Sequence, residues 1–178
     1  MTRAFVALDP PEPLRNAVAA LCRGVPGARW VPPEQLHLTL RFLGEQTDAQ
    51  LAALQQALGR VRVAPFELRL AGPGVFPPAR SRKPARVLWL GLQPCAPLTN
   101  LKAALDSVIP QPDEERSFTP HLTLARFKAP PGPEPADFLR TVRVPDEPWR
   151  VTEFRLYASE LQPEGAVHRA LASYALGV

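Results

Sequence analysis

The chain has 178 residues, 46% of them hydrophobic and 21% charged, which suits one globular domain with a real core and excludes intrinsic disorder. No apolar run reaches the roughly 18 residues of a membrane helix, and the opening MTRAFVALDPPEP is broken by Asp9 and prolines, unlike a signal peptide, so we read a cytoplasmic protein with no membrane partner. The net charge of +4 rests on 18 arginines and 3 lysines; Arg suits an anionic partner, but a GC-rich genome gives the same excess, so charge alone does not identify one.

The 23 prolines exclude long uninterrupted helices and predict short elements joined by stiff loops. Residues 3–8 predict a strand. Asp9 is placed to cap a helix across 11–22, where Leu14, Val18 and Leu21 share a face. An apolar strand follows at 36–43. Thr47 and Gln50 form a capping box for a helix with Leu51, Leu54 and Leu58 at helical spacing. Residues 66–70 alternate as a strand, 72–85 read as a Gly/Pro/Arg-rich loop, and 86–92 as another strand. Leu98, Leu101, Leu105 and Val108 predict a helix. A charged turn at 113–116 leads to a strand at 120–127, and a proline-rich connector to a short helix near 136–143. Strands near 150–158 and 166–174 complete an α+β pattern, read as a single domain over 1–178 with two lobes.

The chain holds three histidines, and two of them open the same tetrapeptide: His37-Leu38-Thr39-Leu40 and His121-Leu122-Thr123-Leu124. The copies lie close to half the chain length apart, which suggests two equivalent lobes, each offering one strand. In a strand, i and i+2 share a face, so His37 joins Thr39, His121 joins Thr123, and the leucines turn toward a core. Side by side about a pseudo-twofold axis, two such strands would bring two imidazoles and two hydroxyls to one cleft. That set suits phosphodiester cleavage without a metal. One imidazole acts as base and the other as acid on the leaving oxygen, while the hydroxyls hold phosphoryl oxygens. A cyclic phosphate is the easiest such substrate, because opening the ring relieves strain.

Other chemistries find less support. Two histidines are too few for a zinc site, and neither HExxH nor clustered cysteine occurs; Cys22 and Cys95 are isolated. We therefore expect no metal and no cofactor. No GxSxG supports a serine hydrolase, and no P-loop supports an ATP-driven ligase.

The paired His-x-Thr motifs resemble those of the 2H phosphoesterase superfamily, and within it the RNA 2′,3′-cyclic phosphodiesterases, also called 2′-5′ RNA ligases. The resemblance spans almost the whole chain, through Arg3–Asp9, His37–Gly44, Arg86–Gly91, Phe118–Arg126 and Leu156–Gly165. It implies a bilobal α+β fold, with two antiparallel sheets around a central cleft and helices outside. It also implies metal-independent hydrolysis of an RNA 2′,3′-cyclic phosphate end to a 2′-phosphate. The rival functions are end-joining by the reverse reaction and RNA-end binding without turnover. We expect a monomer.

By analogy His121 is the base, His37 the acid, and Thr39 and Thr123 hold the phosphate. Arg126 closes the second motif as His-x-Thr-x-x-Arg and is a substrate-binding candidate. Arg41 is a second, since strand period would continue the Thr39 face to it. Phe42, alternating to the other face, is a core residue unless the strand end exposes it to stack on a base. Arg80, Arg82, Lys83 and Arg86 are candidates for a phosphate-tracking patch, and Trp30 and Phe76 for the cleft wall. His168 stands where the resemblance implies Tyr and is read as a strand residue without chemistry.

Overall fold

The computed structural model describes residues 1–110 and 117–178; the charged turn read at 113–116 lies outside the described residues. In the first half, Thr2–Leu8 forms β1, Glu12–Leu21 α1, Ala28–Trp30 β2, Leu38–Gln46 β3 and Asp48–Leu58 α2. Phe66–Leu68 forms β4, Leu70–Phe76 β5 and Val87–Leu92 β6. In the second half, Ala96–Val108 forms α3, His121–Phe127 β7, Glu134–Thr141 α4, Trp149–Val151 β8, Glu153–Gln162 β9 and Gly165–Ala175 β10. A 3₁₀ turn at Pro33–Gln35 precedes β3.

The fold is α+β, as expected. Among the described residues, the main sheet runs β10-β9-β1-β3-β7-β6-β5, with β2 also beside β7, and β4 and β8 form a separate ladder. Neighbours pair antiparallel. The main sheet is two halves, because β3 and β7 pair at Leu38 and Leu122 alone. Each half carries one copy of the repeated tetrapeptide at the seam.

One face of the sheet is the core. Val6, Leu8, Leu38, Leu40, Leu88, Leu90, Leu122 and Leu124 are all but inaccessible. They join one cluster with Leu14 and Val18 of α1, Leu54 and Leu58 of α2, and Leu98, Leu101 and Leu105 of α3. Each such side chain stabilises the fold by about 1.5–3 kcal/mol. The motif leucines thus hold both strands down, and the histidine and threonine of each motif, beside them in the strand, face the other way.

Several elements depart from the sequence expectations. Asp9 does not cap α1: its N-cap is Pro11, and Asp9 instead accepts from Tyr157 Oη at 2.6 Å and pairs with Arg155 at 3.0 Å. The loop read at 72–85 begins later, because β5 runs through Gly72-Pro73-Gly74. Proline is tolerated there since β5 is an edge strand. The strands read at 66–70 and 150–158 each break into two, at Arg69 and Thr152. Strand β2 has three residues, too few for a periodic signal. The capping box of α2 forms as read: Thr47 Oγ1 accepts from the Gln50 amide and Gln50 Oε1 from the Thr47 amide.

Gly74 matters for space. A Cβ there would lie 2.1 Å from the Trp89 ring of the neighbouring strand, far inside van der Waals contact. We expect Gly74→Ala to displace the indole and lower unfolding stability by about 1–3 kcal/mol, read by denaturant unfolding. An unchanged midpoint would show that the indole has room to move.

Candidate active site

The register at the seam assembles the motif side chains. With Leu38 opposite Leu122 in an antiparallel pair, position 37 falls across from 123, and 39 across from 121. All four side chains stand on the face opposite the two leucines. The imidazoles therefore occupy opposite corners of a quadrilateral, and the Thr39 and Thr123 hydroxyls occupy the other two. All four residues are half-buried.

Both imidazoles are held in the same tautomer. His37 Nδ1 lies 2.7 Å from the Gln35 carbonyl oxygen, and His121 Nδ1 lies 2.7 Å from that of Thr119. A carbonyl oxygen only accepts, so each Nδ1 carries a proton and donates it. Nε2 is then the nitrogen free to exchange a proton. The symmetry has a local cause: in each motif the backbone carbonyl two residues before the histidine is aimed at the ring.

The ring environments differ. His37 contacts Phe5 and His168, both at 5.0 Å between centroids. His121 contacts Phe76 at 5.1 Å and Trp89 at 6.1 Å. Burial lowers the pKa of both histidines below the ordinary value, and their carbonyl contacts oppose this. Asp9 favours the charged form of His37, whereas the positive field of Arg126 disfavours it on both rings.

The strands bulge immediately after each threonine. Ala7 pairs with Thr39 but Val6 with Arg41, leaving Leu40 extra. Trp89 pairs with Thr123 but Leu88 with Ala125, leaving Leu124 extra. A bulge reverses the alternation beyond it. Arg41 and Ala125 consequently turn to the core side, while Phe42 and Arg126 turn to the cleft. These last two are equivalent positions in the two copies.

This corrects the expectation for Arg41. The side chain is 2% exposed and is ion-paired with Asp106 of α3, which also accepts from Lys102 Nζ at 2.7 Å. It lies on the face away from the cleft. Arg41→Ala should lower stability by about 1–3 kcal/mol, because it empties a buried position and removes one charged hydrogen bond, while Asp106, partly exposed, keeps Lys102. Urea unfolding measures this; a loss of ligand affinity at full stability would restore Arg41 to the site.

Phe42, read as core unless exposed, is 61% exposed and 6.3 Å from Phe5 on the cleft face. Arg126 is exposed and acts electrostatically on all three histidines. Phe76 lines the site beside His121. Trp30 does not: it pairs with Ala125 on the core side and packs 6.0 Å from Phe138 of α4. Arg80, Arg82 and Lys83 are exposed in the loop after β5, and Arg86 donates to the Lys128 carbonyl at 2.9 Å. Phe5, Gln35 and Trp89 were not singled out from sequence. Phe5 and Trp89 sit in continuous apolar runs, Ala4–Leu8 and Val87–Leu92, whose lack of alternation hides which face each side chain takes, and Gln35 carries no signal. Among the described residues, no group of three or more His, Cys, Asp or Glu is placed to hold a metal ion, and no helix is long and apolar enough to cross a membrane.

Known proteins share this architecture over their full length. The RNA 2′,3′-cyclic phosphodiesterase of Archaeoglobus fulgidus is 34% identical over 95% of this chain and 97% of its own. That of Thermus thermophilus is 35% identical over 98% of this chain and 90% of its own. The crystal structure of E. coli LigT in apo form superposes with a TM-score of 0.79 at 32% identity, covering 99% of this chain and 98% of that one; LigT has also been solved complexed with 3′-AMP. The family model described as the 2′-5′ RNA ligase superfamily matches residues 5–162. With the fold, the full-length relatives and the family model in agreement, the chain belongs to the 2′-5′ RNA ligase superfamily.

Proposed function

We propose that this chain is an RNA 2′,3′-cyclic phosphodiesterase that opens a terminal cyclic phosphate to a 2′-phosphate. The observation that carries this reading is the seam between β3 and β7, where the register sets two Nε2-active imidazoles diagonally across from each other with a threonine beside each. The relatives named for that activity support it.

The chemistry follows from in-line displacement at phosphorus, which needs the attacking and leaving oxygens on opposite sides. His121 Nε2 takes the proton of the attacking water as its oxygen bonds to phosphorus. His37 Nε2–H gives its proton to the 3′-oxygen as the P–O3′ bond breaks. Proton exchange with solvent resets the pair. The Thr39 and Thr123 hydroxyls donate to the non-bridging oxygens, where charge builds up. Arg126 meets the phosphate, and Phe42 offers a face to the terminal base. The Asp9 field, which favours the charged form of His37, suits that ring to the acid role.

The test is a short RNA ending in 2′,3′-cyclic phosphate, incubated with the pure protein in EDTA and followed by phosphorus NMR. We expect the cyclic signal to convert to a 2′-phosphomonoester. No conversion, or conversion only after a divalent ion is restored, would refute the two-imidazole reading.

The pH dependence follows with a definite sign. The base must be neutral and the acid protonated, so kcat/KM is bell-shaped. Burial holds both free-enzyme pKa values below the usual 6.5, so the optimum of kcat/KM falls on the acid side of that value. A bound phosphate anion favours imidazolium, so the kcat profile should lie at higher pH than the kcat/KM profile. Rate measurements across pH 4–9 at limiting and saturating substrate (roughly the range in which histidine titrates) check both statements. A kcat/KM optimum on the alkaline side would contradict them.

A further inference from the structure

His168 lies on edge strand β10 and belongs to neither motif, yet its ring meets His37 edge-on at 5.0 Å and 87°. It also meets Phe5 at 4.8 Å and 79°, and Phe5 meets His37 in turn. The three rings thus touch one another mutually. The hydrogen bond from His37 Nδ1 to Gln35 fixes one edge of that imidazole but leaves it free to rotate about the bond. Phe5 and His168 remove that freedom by closing on the ring from two directions.

Gln35 connects the two histidines. Its carbonyl oxygen accepts from His37 Nδ1, and its side-chain Oε1 accepts from the His168 backbone N–H at 3.0 Å. One residue of the 3₁₀ turn therefore anchors the ring of one histidine and the backbone of the other. His121 is backed instead by Phe76 and Trp89, so the arrangement breaks the pseudo-twofold symmetry.

Resting on the reading of His37 as the acid, we propose that His168 is a positioning residue that fixes the His37 ring plane and shields it from water while itself staying uncharged. Its Nδ1 is buried without a hydrogen-bond partner, an environment in which a bare lone pair is less unfavourable than an orphaned N–H. The proton then sits on Nε2 and the ring is neutral. Burial, with the nearby His37 and Arg126, pushes its pKa down to about 4, so it is uncharged near neutral pH. The other titratable or charged groups around His37 are Asp9 after β1, Glu34 of the turn, Tyr157 of β9, and Arg126 and His121 of β7. Tyr157 is held protonated, its pKa raised to about 12 by burial and by its bond to Asp9.

The experiment compares His168→Ala with His168→Phe by NMR titration of the imidazoles in the substrate-free protein, alongside kcat and KM on a cyclic-phosphate RNA. In His168→Ala, water reaches His37, so its pKa should rise toward 6.5 and kcat should fall about 10-fold through lost orientation, with KM little changed. The His121 titration in the same spectra should stay put, which reports an intact site. His168→Phe keeps an aromatic edge and should hold the His37 pKa and kcat within about 2-fold of wild type, the scale of lost orientation being absent. An alanine variant whose His37 titrates as in wild type would overturn the proposal. So would a phenylalanine variant as impaired as the alanine one, since the imidazole nitrogen would then be needed. The titration needs no substrate, so failure of the phosphodiesterase reading would leave its result intact.

Discussion

Replacing His37 or His121 with alanine should lower kcat on a cyclic-phosphate RNA by about 10²–10⁴-fold each, the usual worth of a placed general acid or base. Both rings stand on the cleft face, and neither belongs to the hydrophobic cluster beneath the sheet. The variants should therefore fold, with unfolding midpoints close to wild type. KM should change less than kcat, because each imidazole acts mainly as bonds form and break. The double variant should lose far less than the product of the single losses. Once one proton transfer is missing, the remaining group has little concerted chemistry to assist. Single-turnover rates with saturating enzyme read this directly. A variant turning over near the wild-type rate would remove that histidine from the mechanism.

Thr39→Val and Thr123→Val should each lower kcat by about 10²–10³-fold, as expected when one donor to a developing oxyanion is lost. Valine keeps the branched shape and the strand preference, so the β3 and β7 seam should survive. The two effects need not be equal. Thr39 is paired opposite Ala7, whereas Thr123 is paired opposite Trp89, so a water can more readily replace the hydroxyl on the open side. The larger loss is therefore expected for Thr123→Val. Equal retention of activity in both would mean that the phosphate is held by cations alone, with Arg126 the first to examine.

The shared face of the motif side chains was legible because strand period acts over two residues, and His37, Thr39, His121 and Thr123 sit within that reach. It failed one residue later. The bulges at Leu40 and Leu124 leave no mark in hydrophobic alternation, so period two carried Arg41 onto a face it does not occupy. What a bulge does to the next side chain is decided by the partner strand. The same limit applies to Asp9, whose cap position was reasonable locally but whose carboxylate is taken by Tyr157 and Arg155 from the far end of the chain. Pro73 made residues 72–76 look like a loop, and only the edge position of β5 explains their extension as strand. His168 reaches His37 and Gln35 although β9 and β1 separate β10 from β3 in the sheet order. No short-range pattern encodes that approach. The capping box of α2 and the leucine faces of α2 and α3 were legible for the opposite reason: their determinants lie within one or two turns.

The most direct measurement of the two-imidazole account is the pH dependence of kcat/KM for the two single histidine variants beside wild type, with chemistry rate-limiting. Wild type should show a bell. His121→Ala should lose the acid limb, since no base remains to be protonated as pH falls. His37→Ala should lose the alkaline limb, since no acid remains to be deprotonated as pH rises. A bell that persists unchanged in either variant would contradict the account, and limbs lost in the opposite order would exchange the two roles.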